Sequence, residues 1–157
     1  MRAMKRKTGL KYMSAETSYF RWETQTARLL YQHGVLGEML YTEAEYYHPH
    51  IGAKDDGLSY RNGIRTWRYG FPPMHYPTHC TAFLVGVTGE RLVKVSCIGT
   101  GDPAQETLHD NVYHNPFQNG MALFETDKGN PFRCNVAWRI HADGERAQWF
   151  GTKASLY

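Results

Sequence analysis

The sequence predicts an α+β domain: one large, open, mostly antiparallel sheet with helices on one face. Two patterns lead there. Helical periodicity is segregated into short stretches, and the last third of the chain alternates as an antiparallel meander punctuated by turn residues. Length bounds the rest. A chain of 157 residues suits one ordinary domain, which buries about 70% of its unfolded surface. A barrel of eight β/α units needs roughly 250 residues and is excluded. With 14% aromatic residues, including four Trp and eleven Tyr, core material is plentiful and wholesale disorder is excluded.

The elements follow in order. Residues 2–11 start as a helix that Gly9 stops. Residues 10–17 form a short strand. Residues 23–32 form a helix with Ala27, Leu30 and Tyr31 on one face and Gly34 just beyond it. Residues 38–48 alternate as a strand, with Leu40, Thr42, Ala44 and Tyr46 on one side. Its other side carries Tyr41, Glu43, Glu45 and Tyr47, a polar but aromatic face suited to a partner or ligand. Residues 48–73 hold Pro49, Gly52, Asp55, Asp56, Gly57, Gly63 and Gly70, and form a long irregular loop. Pro77 opens a helix through Cys80, Phe83, Leu84 and Val87, and Gly89 ends it. Residues 92–98 are a strand with Val93, Val95 and Cys97 on one face. Strands at 120–126, 132–140 and 145–152 follow, and Asp143-Gly144 signals a tight hairpin between the last two. Residues 149–157 continue the sheet.

Charge is unevenly placed. The net is +3, but Arg2, Lys5, Arg6, Lys7 and Lys11 crowd one end, and the remainder is slightly acidic. No aromatic residues interleave with that cluster, so it is read as a solvated helix face, with no nucleic-acid partner. Cys80, Cys97 and Cys134 lie far apart in apolar surroundings without a CxxC, as reduced, buried thiols do. The longest apolar run is far too short to span a membrane. With no signal peptide at the N-terminus, the expectation is a cytoplasmic protein without a membrane partner.

Few motifs carry chemistry on their own. Gly99-Thr100-Gly101 follows a strand but lacks the third glycine and the helix of a dinucleotide loop, and is read as a turn. His75 and His79 stand four apart, with Cys80 or His48 as further ligands, but no HExxH glutamate accompanies them and no metal is expected. His79, in the first turn of a helix, suits a neutral proton-accepting imidazole; a satisfied structural histidine is the plain alternative. Arg21, Arg65 and Arg68 are candidate anchors for an anion or a hydroxyl. Glu43 and Glu45 share a strand face, which does not by itself make a glycosidase carboxylate pair.

The stretch Gly34-Val35-Leu36-Gly37-Glu38, the strand to Glu45-Tyr46, Trp67-Arg68, the segment 72–79, Val93-Lys94-Val95-Ser96 and Gly151-Thr152 occur in an order that nearly spans the chain. In that order they resemble the C-terminal half of the glucose–fructose oxidoreductase / inositol dehydrogenase / rhizopine-catabolism (Gfo/Idh/MocA) family. The resemblance implies residues 1–17 as the last helix and strand of a Rossmann domain binding NAD or NADP. Residues 18–157 would be the substrate-binding and oligomerisation domain, shortened at its C-terminus. The glycine fingerprint and Glu-Lys-Pro motif of that Rossmann half are missing, so NAD(P) would be absent from this chain or weakly bound. His79 matches the family's helix-start histidine, which takes the substrate hydroxyl proton. His75 stands where the family has an aspartate, and Ala154 where its closing motif has a second glycine. Trp67 and Arg68 match a Trp-Arg pair; with Arg21, His75 and Tyr76 they would bind a sugar or polyol. The implied activity is NAD(P)-dependent oxidation of a carbohydrate or polyol hydroxyl, with a homo-oligomer formed through the open sheet face. Tyr76-Pro77-Thr78-His79 also resembles the branch of NAD-dependent glycosidases acting on N-acetylgalactosaminides by transient hydride transfer. A non-catalytic sugar-binding or assembly module is the third possibility.

Overall fold

The computed structural model describes residues 1–13 and 15–157. Helix α1 (Arg2–Thr8) is exposed along its whole length and ends where Gly9 turns left-handed, at φ 69°, so the basic cluster is a solvated helix as expected. The strand expected over 10–17 does not form. Residues 10–13 are exposed and irregular, Ser14 lies outside the described residues, and Glu16 instead caps helix α2 (Thr17–Phe20) by accepting the Tyr19 N–H at 3.0 Å. Helix α3 (Trp22–Gln32) buries Thr24 and Ala27.

Strand β1 (Met39–Tyr47) slips register between Met39 and Tyr41. That irregularity turns Leu40 out to solvent, against expectation, while Thr42, Ala44 and Tyr46 face the core. The long loop is more ordered than its composition suggested. It contains a small hairpin, β2 (Tyr60–Arg61) and β3 (Ile64–Arg65), turned by Asn62 and Gly63, both at positive φ. A single 3₁₀ turn (Pro73–His75) precedes helix α4 (Thr78–Thr88), which starts after Pro77 and stops at left-handed Gly89. Strand β4 (Leu92–Thr100), helix α5 (Glu106–His109) and strands β5 (Asn119–Thr126), β6 (Pro131–Ala137), β7 (Gly144–Gly151) and β8 (Ser155–Leu156) complete the chain.

The six-stranded sheet has the order β4-β5-β6-β1-β7-β8, and only β1 with β6 is parallel. The hairpin expected at Asp143-Gly144 is therefore not made, because β1 lies between β6 and β7. Its charges suit that place: outward-facing Glu43 and Glu45 sit between Arg133 of β6 and Arg146 of β7. The last segment is not one strand either; the chain reverses after Gly151, whose N–H meets the Ala154 carbonyl at 3.0 Å, and β8 pairs back on β7.

Helix α4 covers the centre of the sheet. Cys80, Phe83, Leu84 and Val87 meet Ala44, Phe132, Cys134, Val136 and Trp149, and the Trp149 indole N–H donates to the Phe83 carbonyl at 2.8 Å. Cys80 and Cys134 are buried as expected, but Cys97 is exposed, because it lies on edge strand β4, beyond the reach of the helices. Two of the sequence stretches that carry the family resemblance meet in space. The Thr152 N–H donates to Glu38 O at 2.9 Å and the Lys153 N–H to Leu36 O at 3.0 Å, and a Cβ on Gly151 would lie 2.1 Å from Leu36 O.

Candidate functional site

His79 is the second residue of α4 and projects over the end of β1, with its ring stacked on Tyr46 at 4.5 Å and 18°. Tyr76, from the turn before the helix, lies 4.5 Å away at a tilt. Burial first, then the neighbouring Tyr76 hydroxyl and Glu145, push the Tyr46 phenol up to about 12. It therefore remains protonated throughout the neutral range.

A polar cluster collects on one ring nitrogen of His79. Nδ1 is 2.9 Å from Glu16 Oε1 and 3.2 Å from both Thr17 Oγ1 and Ser18 Oγ. Ser18 is fully buried and donates its hydroxyl proton to Glu145 Oε2 at 2.6 Å. Glu145 stands opposite Tyr46 across the β1–β7 ladder, and Arg21 grips it with two bonds, at 2.6 and 2.8 Å. That hydrogen-bonded pairing raises the Arg21 pKa further still, against the opposing effect of burial.

The remaining predicted residues lie along an aromatic ridge leading from His79. Tyr76 packs edge-on to Phe71 at 5.9 Å, and Phe71 to Trp67 at 5.1 Å. Trp67 is exposed, and Tyr113 donates its hydroxyl to the Trp67 carbonyl. His75 is also exposed; it leans on Phe71 and Tyr113 and belongs to the 3₁₀ turn, so it does not share a helical face with His79. Arg68 turns inward, its Nε 2.9 Å from Asp56, and so fastens the loop. Arg21, Tyr76 and His79 are thus brought together, while Trp67 and His75 sit further along the ridge. Tyr46, Glu16, Ser18, Glu145, Phe71 and Tyr113 were not singled out as site residues. Only the capping position of Glu16 marked any of them locally.

Gly99-Thr100-Gly101 is not the turn expected: Gly99 and Thr100 end strand β4, paired with Gly120 and Asn119, and the segment offers no cradle for a pyrophosphate. A Cβ on Gly99 would strike the Phe117 ring at 2.4 Å and one on Gly101 the Pro116 carbonyl at 2.4 Å, so both glycines are used by internal packing. These residues do not fit a dinucleotide. Among the described residues, no group of three or more His, Cys, Asp or Glu could hold a metal ion, and no helix is long and apolar enough to cross a membrane. A cleft of about 440 Å³, lined by His50, Gln118, Trp138 and His141 among others, does not include His79.

No family model and no curated protein matches the sequence. Solved structures do match in fold. Scyllo-inositol dehydrogenase from Lactobacillus casei superposes with a TM-score of 0.68 at 16% identity, covering 99% of this chain and 43% of that one. Aldose-aldose oxidoreductase from Caulobacter crescentus, complexed with glycerol, gives 0.68 at 19% identity over 98% of this chain and 42% of its own. Myo-inositol dehydrogenase from Lactobacillus casei, in complex with NAD(H) and myo-inositol, gives 0.62 at 10% identity over 99% and 42%. The fold is shared. The chain spans about two fifths of the length of these structures.

Proposed function

We propose that this chain is the substrate-side domain of an oxidoreductase acting on a hydroxyl of a carbohydrate or polyol, with His79 accepting the hydroxyl proton. The observation that carries the reading is the His79 ring itself. One nitrogen is held by a hydroxyl and carboxylate cluster, and the ring lies on Tyr46 beside the start of an aromatic ridge. A proton acceptor must be oriented before it is useful, and this ring is fixed from two sides. The ridge of Tyr76, Phe71 and Trp67 suits the apolar C–H faces of a sugar, whose rim hydroxyls would reach Arg21 and His75, while Arg68 stays on Asp56. Shared fold with sugar and inositol dehydrogenases supports the same class. The residues described do not form a dinucleotide site, so the hydride acceptor, NAD or NADP, belongs to a separate domain and no redox step is assigned to this chain.

Two titrations test the reading. Adding myo-inositol and a set of aldoses to the ¹⁵N-labelled chain is expected to shift the resonances of Trp67, Tyr76 and His79 together; no shift with any of them overturns it. Calorimetry with NAD is expected to show no micromolar binding. A second reading, a sugar-binding or assembly module without catalysis, is favoured by His75. That residue stands where the resembled family has a carboxylate, and its ring meets Tyr113 edge-on at 5.5 Å. In this reading sugar binding survives His79→Ala and no oxidation follows when a dinucleotide domain is supplied.

A further inference from the structure

We infer that Ser18 and Glu145, with Glu16, fix His79 in the tautomer that carries its proton on Nδ1, so that Nε2 presents the bare lone pair. A hydroxyl has one proton to give, and that of Ser18 goes to Glu145 Oε2 at 2.6 Å. Towards His79 Nδ1, at 3.2 Å, Ser18 Oγ can therefore only accept. Glu16 Oε1, 2.9 Å from the same nitrogen, is a carboxylate oxygen and also accepts. It is buried and has no other hydrogen-bond partner, so a bare Nδ1 would leave it facing a lone pair. Thr17 Oγ1, at 3.2 Å, adapts to either case by rotating its proton. Solvated neutral histidine prefers the proton on Nε2, so this cluster works against the ordinary preference.

The arrangement is a relay of three groups: the His79 Nδ1–H, the Ser18 hydroxyl and the Glu145 carboxylate, the last locked by the two Arg21 bonds. Ser18 and Glu145 are positioning residues. Ser18 meets the imidazole at Nδ1 and Glu145 acts through Ser18, its own Oε1 4.0 Å from that nitrogen, whereas Nε2 makes no hydrogen bond among the described residues. The inference deepens the proposed role of His79 and rests on it for its purpose, since only a bare Nε2 can take a hydroxyl proton.

The tautomer is measurable without turnover. In the ¹⁵N-histidine-labelled chain, at a pH where the ring is neutral, two-bond ¹H–¹⁵N correlations are expected to show the pattern of an Nδ1–H ring for His79. An Nε2–H pattern, or a ring that stays doubly protonated throughout, overturns the inference, and this needs no variant to fold. Ser18→Ala is expected to lose that pattern in favour of a mixed or Nε2–H ring, and Ser18→Thr to restore it. An unchanged tautomer in Ser18→Ala would show that Glu16 suffices and remove Ser18 and Glu145 from the role. An Nδ1–H ring in a protein that binds no sugar or polyol would leave this inference standing and overturn the proposed function instead.

Discussion

Outside the His79 cluster, the Asp56 carboxylate ties the long loop together. It accepts the Gly52 and Leu58 N–H groups, both at 3.0 Å, and Arg68 Nε at 2.9 Å. Burial alone would raise its pKa, but those three donors outweigh burial and hold it below the ordinary carboxylate value. A depressed carboxyl contributes stability above its unfolded pKa, and that contribution is lost as pH falls through the lower folded value. Asp56→Asn is therefore expected to cost about 2 kcal/mol at neutral pH, in the range for bonds to a charged group. The cost should shrink in acid, as read by urea unfolding at both pH values. An equal cost at both would show that charge is not what Asp56 supplies. Arg68, which sequence reasoning offered to a ligand, would be freed by that change. Cysteine accessibility gives a second check on side-chain placement. Cys97 is exposed, and Cys80 is buried; the neighbouring Cys134 together with burial keeps the Cys80 thiol protonated, and that thiol donates to Asn135 O at 3.4 Å. Thiolate is the reacting form, so Cys97 alone is expected to react with a disulfide reagent in the native chain. Substituting Cys97 with Ser should abolish the fast phase; fast labelling that survives it would place another thiol at the surface.

Helix α4 carries the largest share of the core, and its behaviour tests the fold. Phe83 is 2% exposed, meets Trp149 edge-on at 6.0 Å and accepts its indole proton through the carbonyl. Phe83→Ala removes the ring but keeps that bond, and is expected to cost about 3–5 kcal/mol in chemical denaturation. A cost below about 1 kcal/mol would mean that the helix does not close the sheet as described. This helix was also the element most readily predicted, because Pro77, the apolar positions and Gly89 are local signals spaced for α-helix. The alternation of β6 was as clear, though Trp138 already lies beyond the strand's end. Strand partnership was not readable. Which strand lies beside β6 depends on Glu43, Glu45, Arg133 and Arg146 meeting from distant parts of the chain, whereas Asp143-Gly144 spoke only for its immediate neighbours. The Asn62-Gly63 hairpin is the reverse case, a strong local signal passed over inside a loop full of glycine. The site divides in the same way. His79 announces itself by its place at a helix start, but Ser18 reaches it from 61 residues away, and Glu145 joins Ser18 across a 127-residue separation.

For the molecule as a whole, the sheet face away from the helices is the feature that asks for a partner. The register places Tyr41, Glu43 and Glu45 of β1, Arg133 of β6, Met121 and Leu123 of β5, Ile98 of β4, and Arg146 and Phe150 of β7 on that side. Its charges are already matched within the chain: Glu43 with Arg133 at 2.7 Å, and Glu45 with Arg146 at 2.6 Å. Tyr41 stacks on Phe150, and Ile98, Met121 and Leu123 stand 72%, 42% and 54% exposed beside them. An internally neutral face with apolar and aromatic margins can meet a copy of itself without opposing like charges, the requirement of a two-fold interface. We therefore expect a homodimer through this face, visible by light scattering at micromolar concentration. Leu123→Glu should yield a monomer whose thermal unfolding is still cooperative. The pH response follows from Glu43. Burial raises its pKa, but hydrogen bonds from Tyr41 and Arg133 outweigh that and hold it below the ordinary carboxylate value. Glu43 thus stays ionised, and Arg133 compensated, until the solution is more acidic than that value. The Glu43–Arg133 pair should accordingly persist through neutral pH into mild acid, and dimerisation should weaken in stronger acid as Arg133 loses Glu43, the nearer of its two carboxylate partners. A strict monomer at every concentration would assign this face to some other covering.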